Sequence, residues 1–213
     1  MAGVAQGKRG RGGRPPAGQS DVETRLLAAA TRLFLTRGYE GTSCDQVALD
    51  AGAGKASIYA RYANKAALFA AVVDHMLARS FAQDKVAPET PLQERLAAVG
   101  MRVMADALYP DALALLRLLV AELARFADGG VRADQLFWQV GVRRVASAIA
   151  LREPDAIERA AAPAVRFIDL VLAPALMRAL LGEPVPPLLA AAPAQIDAAI
   201  AMLAASGALD GWA

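Results

Sequence analysis

Between Val22 and Leu203 the apolar residues of this chain recur at spacings of three and four, and nowhere do they alternate with polar ones along a β-branched run. Such spacing puts them on one side of a helix, whereas a half-buried strand needs a period of two. The chain is therefore expected to be all-α. Its hydrophobic residues, 56% of 213, are largely alanine and leucine, both strong helix formers. This length suits one domain, or a small one joined to a larger one. No internal repeat and no long heptad run is present.

Residues 1–19, MAGVAQGKRGRGGRPPAGQ, are rich in Gly, Arg and Pro and carry no acid. They have too little to bury and are expected to form a disordered basic arm. A first helix is expected over about 21–37, capped by Ser20 or Asp21 and closed by Gly38. A second opens at Thr42 or Ser43, each with a capping-box partner three residues on (Asp45 and Gln46), and stops at Gly52. A third covers Lys55 to Tyr62. Asn64 caps a fourth, with Leu68, Phe69, Val72, Val73, Met76 and Leu77 on its apolar faces. Five more candidates span 92–108, 111–126, 132–151, 163–182 and 193–207. Pro163 and Pro193 stand near helix starts, Gly182 and Gly207 just past helix ends. Pro174 falls inside a helical pattern and should kink it. The expected units are 1–19, 20–80 and 81–213.

Composition argues against several functions. One cysteine allows no internal disulfide and fits a reducing cytoplasm. With one histidine it leaves few nucleophile–base pairs, and neither a phosphate-binding glycine loop nor GxSxG occurs. No enzyme activity, metal or cofactor is expected. His75 has no metal-spaced partners and reads as an ordinary helix residue. Cys44 reads as a small buried hydrophobe, although a nearby helix N-terminus could lower its pKa. The longest uncharged stretches run to about a dozen residues, so no ~20-residue membrane span is expected. No apolar segment follows the basic N-terminus closely enough for a secretory signal.

Charge is unevenly spread. Residues 1–80 hold 11 Lys+Arg and 6 Asp+Glu, net +5, and residues 81–213 hold 12 and 15, net −3. A basic front on an acidic remainder points to an anionic partner for the front. Within that front, Ala48, Gly52 and Ile58 have helix-turn-helix spacing. Ala48 lets two backbones approach, Gly52 supplies a left-handed turn, and Ile58, helped by Tyr62, pins the second helix. Lys55, Ala56, Tyr59 and Arg61 then fall on other faces. A short exposed helix bearing lysine, tyrosine and arginine can enter a major groove and meet phosphates on its walls.

The stretch GYEGTSCDQVALDAGAGKASIYARYANKAALF resembles the N-terminal DNA-binding domain of the tetracycline-repressor (TetR) family. The features that carry it are Gly38–Tyr39, Thr42–Ser43, VALDAG, Lys55, Ser57–Ile58–Tyr59, Tyr62 and NKAALF, and the match runs from about Val22 to Met76. The resemblance implies an N-terminal three-helix helix-turn-helix domain, joined by a linking helix to a larger helical effector-binding and dimerisation domain. It implies a homodimer that represses or activates transcription and changes its hold on a double-stranded DNA operator when a small molecule binds. Carried over by position, Lys55, Ala56 and Tyr59 match positions touching bases or nearby backbone. Ser57, Arg61, Lys65 and the Thr42/Ser43 helix start match phosphate contacts. Gly54 and Ala53 depart from a hydroxyl cap that often follows a valine, and Arg61 from a position more often histidine. Arg14, in the KRGRGGRPP arm, is slim enough in context for a narrow minor groove.

From about residue 82 the resemblance is to the family's variable effector domain. Candidate pocket residues are Met101, Met104, Leu108, Leu116, Leu119, Glu122, Phe126, Phe137, Trp138 and Phe167, suited to an apolar or aromatic effector. The last two long helices are apolar on more than one face. Ile168, Leu172, Leu176, Ala179, Ile196, Ile200 and Leu203 are the expected dimer surface, since the family pairs these helices into a four-helix interface. The rival reading is a helical small-molecule-binding or carrier protein whose helix-turn-helix is structural only.

Overall fold

The computed structural model of the chain describes residues 17–80, 89–126, 133–151 and 153–212. Among these the regular structure is helical, with no strand. The elements are α1 (Ala17–Arg37), α2 (Cys44–Asp50), α3 (Lys55–Tyr59), α4 (Lys65–Ser80), α5 (Leu92–Ala107), α6 (Pro110–Phe126), α7 (Ala133–Ile149), α8 (Ala161–Leu180) and α9 (Val185–Ala205). Arg14 and most of the basic arm lie outside the described residues. Helix α1 starts at Ala17, so Ser20 and Asp21 stand inside it rather than capping it. The prolines that would obstruct a helix interior, Pro15 and Pro16, come before that point, and Ala17 and Gln19 are good helix formers.

The apolar stripes close into two cores. Leu26, Ala30 and Phe34 of α1 meet Val47 and Ala48 of α2, Ile58 of α3, and Leu68, Phe69, Val72 and Val73 of α4. Leu115 and Leu119, from α6, are fully buried in this same core. Packing therefore crosses the boundary expected at residue 81. The second core gathers α5, α7, α8 and α9 around Leu96, Met104, Phe167, Ile168, Ile196 and Leu203. Gly100 is where α5 comes closest to its neighbours: a Cβ there would lie 2.9 Å from the Phe167 ring and 3.1 Å from Ile196. Across the same bundle Arg144 on α7, almost wholly buried, donates to Asp106 on α5 at 2.7 Å.

Pro174 stands inside α8. It has no N–H, so the Leu170 carbonyl one turn earlier loses its normal donor. A side chain of the next helix replaces it: Gln195 Nε2 donates to the Leu170 carbonyl at 2.8 Å and to that of Val171 at 3.1 Å. The proline and the glutamine form one device that repairs α8 and ties it to α9.

Helix α9 begins at Val185, eight residues before the start expected at Pro193. Pro186 and Pro187 fall in its first turn, where the backbone N–H groups have no partner to lose. Pro193 is accommodated inside the helix. The resulting 21-residue helix has the length and composition of a membrane span, which the sequence reading did not foresee because Asp197 ends its uncharged run and prolines interrupt that run. Here it is a bundle helix: Leu188, Ala192, Ile196, Ala199, Ile200 and Leu203 are buried on one side.

Candidate nucleic-acid interface

Ser43 caps α2. Its hydroxyl accepts from the Gln46 amide at 3.2 Å while Gln46 Oε1 accepts from the Ser43 amide at 3.0 Å, a complete capping box. Thr42 does not share this role. Its hydroxyl donates to the Gly38 carbonyl at 2.9 Å, and the residue is 2% exposed. A hydroxyl used inside the α1–α2 turn cannot reach a phosphate, so Thr42 leaves the expected contact set, and Asp45 is no capping partner of it.

Gly52 takes the left-handed conformation at φ 61°, and the chain doubles back so that the Ala53 amide donates to the Ala48 carbonyl at 2.8 Å. Ala48 is buried where α2 meets α3, and Ile58 is completely buried. The regular part of α3 ends at Tyr59. A looser turn carries on to Tyr62, whose amide donates to the Ile58 carbonyl at 2.9 Å. Tyr62 is buried and closes the hydrophobic side.

With that side turned inward, Lys55, Ala56 and Tyr59 are exposed and Ser57 and Arg61 half-buried. A guanidinium nitrogen of Arg61 donates to the Ser57 carbonyl at 2.8 Å. Two exposed side chains converge on one acid of α2. Lys55 Nζ lies 2.6 Å from Asp45 Oδ2, and Tyr59 Oη donates to Asp45 Oδ1 at 3.4 Å. The Lys55–Asp45 hydrogen bond, then the Asp45 charge, raises the lysine pKa; the carboxylate charge also raises the Tyr59 phenol. Sequence reasoning missed the Asp45 cluster. Ten residues separate Asp45 from Lys55, and only the angle between α2 and α3 brings them together.

Lys65 matches a phosphate-contact position in the resemblance. Its ammonium instead donates to the Tyr39 carbonyl at 2.9 Å, sits 4.3 Å from the centre of the Tyr39 ring and 3.8 Å from Glu40. Tyr39 stacks on Phe34 and meets Phe69 edge-on. Lys65 thus ties the start of α4 to the α1–α2 turn. Asn64 caps α4 through its side-chain oxygen, which accepts from the Ala67 amide at 2.9 Å.

Cys44 is 6% exposed. Burial first, then the Asp45 charge, pushes its thiol up, the reverse of the lowering a helix N-terminus alone would give. His75 is half-buried on α4.

The expected effector residues do not form one group. Met104, Leu108 and Phe167 are buried in the second core with Trp138 packed against it. Met101 is on the surface at 37% exposed, because it lies on the side of α5 away from α8 and α9. Leu119 belongs to the core of α1–α4, since that end of α6 packs against α1. Leu116 and Glu122 are half-buried on α6. The side chains of Phe126 and Phe137 lie outside the described residues.

The expected dimer surface is corrected more fully. Ile168, Leu172, Ala179, Ile196, Ile200 and Leu203 are all buried within the chain's own bundle, and Leu176 is half-buried against it. These residues are the inward stripe. The outward face of α8 and α9 carries Val165, Met177, Leu181 and Met202, with Ala190, Ala194, Ala198 and Ala201.

A helix-turn-helix followed by a larger helical bundle is the class of protein defined by this arrangement. Residues 26–72 match the family of bacterial regulatory proteins, tetR family. The helix-turn-helix part is thus similar to the N-terminal domain of tetR-family regulators, and most of the chain shares the fold of such proteins. A putative TetR-family regulator from Mesorhizobium loti is 20% identical, with a TM-score of 0.65 over 88% of this chain and 98% of the other. The flavonoid-responsive regulator FrrA is 24% identical, with a TM-score of 0.63 over 89% and 97%. MexZ, a repressor responsible for antibiotic resistance in Pseudomonas aeruginosa, is 20% identical, with a TM-score of 0.52 over 84% and 95%. Identities this low speak for the fold alone. No curated protein sequence matches the chain.

Proposed function

We propose that the chain is a cytoplasmic, homodimeric, DNA-binding transcriptional regulator, a repressor released from a palindromic operator by a small apolar or aromatic effector. The observation that carries this reading is α3 itself. Ile58 and Tyr62 fix it from within, leaving Lys55, Ala56 and Tyr59 outward on a helix narrow enough for a major groove. Ser57 within it, and Ser43 and Arg61 to either side, serve as phosphate contacts. The tetR-family match over residues 26–72 supports the same role.

One recognition helix reads too few base pairs to find a site in a genome, so the reading requires a pair. Two copies would read half-sites about one helical turn, ~34 Å, apart or a multiple of it. The outward face of α9 suits such a pair: between Ala190 and Ala205 its exposed residues are alanine, proline and methionine apart from Asp197. In the effector domain, Trp138 beside Met104, Leu108 and Phe167 offers apolar and aromatic surface. FrrA, which shares the fold, is named for its response to flavonoids, and MexZ is named a repressor.

The test is selection of duplexes from a random-sequence DNA pool, followed by titration of the selected duplex across salt. Palindromic enrichment and a log Kd rising with log salt are expected, about 0.9 per phosphate contact. No enrichment and no salt-dependent binding would leave the helix-turn-helix structural only.

A further inference from the structure

We infer that Asp45 sets the DNA specificity of this helix-turn-helix by holding Lys55 and Tyr59 and by keeping phosphates off the face they share. This rests on the DNA-binding reading above.

Asp45 is an acid on the face that the reading turns toward a polyanion. Its carboxylate reaches both exposed side chains of α3 best placed to read bases, at 2.6 Å and 3.4 Å. Lysine alone is a point charge on a flexible stem and takes any phosphate within reach. Paired with Asp45, the same ammonium belongs to a cluster of no net charge and stays beside the phenol. A phosphate approaching it meets a carboxylate as well. A base edge is different: it offers a localised acceptor, such as the O6 and N7 of guanine, which an ammonium of three donors can reach while one donor stays on Asp45. Asp45 therefore weakens random DNA more than the chosen site, and discrimination needs such a repulsive element as much as an attractive one. Asp45 also stands in the first turn of α2, where any acid favours the helix. The test must separate that role from this one.

The experiment uses the full chain, one duplex that the unmodified protein selects from a random pool, and a shuffled duplex of equal length. Asp45→Asn keeps the shape and removes the charge. It should raise affinity for the shuffled duplex about 3–10-fold and lower the selected-to-shuffled ratio by at least as much. The salt slope on shuffled DNA should steepen by about 0.9 as Lys55 becomes free to meet a phosphate. On a Lys55→Ala background that steepening should vanish. Asp45→Glu, which keeps the charge, should restore most of the ratio. Unchanged binding to the shuffled duplex would overturn the inference. So would an equal fall on both duplexes with a lowered thermal midpoint, the mark of a helix-start residue only. If the unmodified protein binds no duplex in a salt-dependent way, the DNA-binding reading itself fails and takes this inference with it, a result distinct from both.

Discussion

Burial of Cys44 and Tyr62 makes the helix-turn-helix part sensitive to alkali. Both groups are pushed up, chiefly by burial, so the folded chain holds their protons more tightly than the unfolded one. Their contribution is complete below the ordinary pKa values and is lost as pH rises through the raised ones. Stability should begin to fall above pH ~8.5 and more steeply above ~10. Urea midpoints between pH 7 and 11 would check this, with Cys44→Ala removing the earlier part of the fall. Alkylation of Cys44 at neutral pH should be slow in the folded chain and fast in urea. Lys65 supplies a second test. A residue waiting only for phosphate would leave stability alone when truncated, whereas this one grips Tyr39. Lys65→Ala should cost about 1–2 kcal/mol in denaturant titration, from one hydrogen bond and one cation–π contact. Ser43 was legible because its partner lies three residues away. The Tyr39 carbonyl is 26 residues from Lys65, and no local pattern announces it.

Each expected helix had a counterpart because amphipathic spacing is a local property. Ends were harder to place, and proline explains the largest error. Pro193 looked like a start, yet a proline in the first turn costs nothing, and Pro186 and Pro187 take those places in α9. Pro174 was expected to bend α8. What the sequence hid was its remedy, because Gln195 lies on another helix. Gln195→Ala should leave the half-buried Leu170 carbonyl without its donor and cost about 1–2 kcal/mol. Pro174→Ala restores the backbone donor, so the glutamine change should cost clearly less on that background. Thermal unfolding of the two single variants and the double variant would show the coupling; additive effects would mean that Gln195 works elsewhere.

For the molecule as a whole, the helices of the described residues were legible in the sequence, but which side of the last two faces outward was not. Helix α9 is apolar nearly all round apart from Gln195 and Asp197, so periodicity could not say which side faces in. Its largest aliphatic residues went inward, leaving alanines, prolines and Met202 outside. This makes adjacent residues of α9 opposite probes. On the proposed pairing, Met202→Glu, at 58% exposed, should convert the dimer to a folded monomer. Leu203→Glu, at 2% exposed, should instead place a carboxylate in the core and lose the fold. Sedimentation and circular dichroism of both would decide it. A Met202→Glu protein that stays dimeric would put the interface elsewhere.

Leu115 and Leu119 carry a consequence for anyone who would graft this helix-turn-helix onto another protein. A knife placed at residue 81 looks clean on paper, yet it takes two leucines out of the middle of the part left behind. The fragment that ends there has a hole where α6 belongs. A chimera that borrows the first four helices without α6 should bring along a core its new host was never shaped to fill.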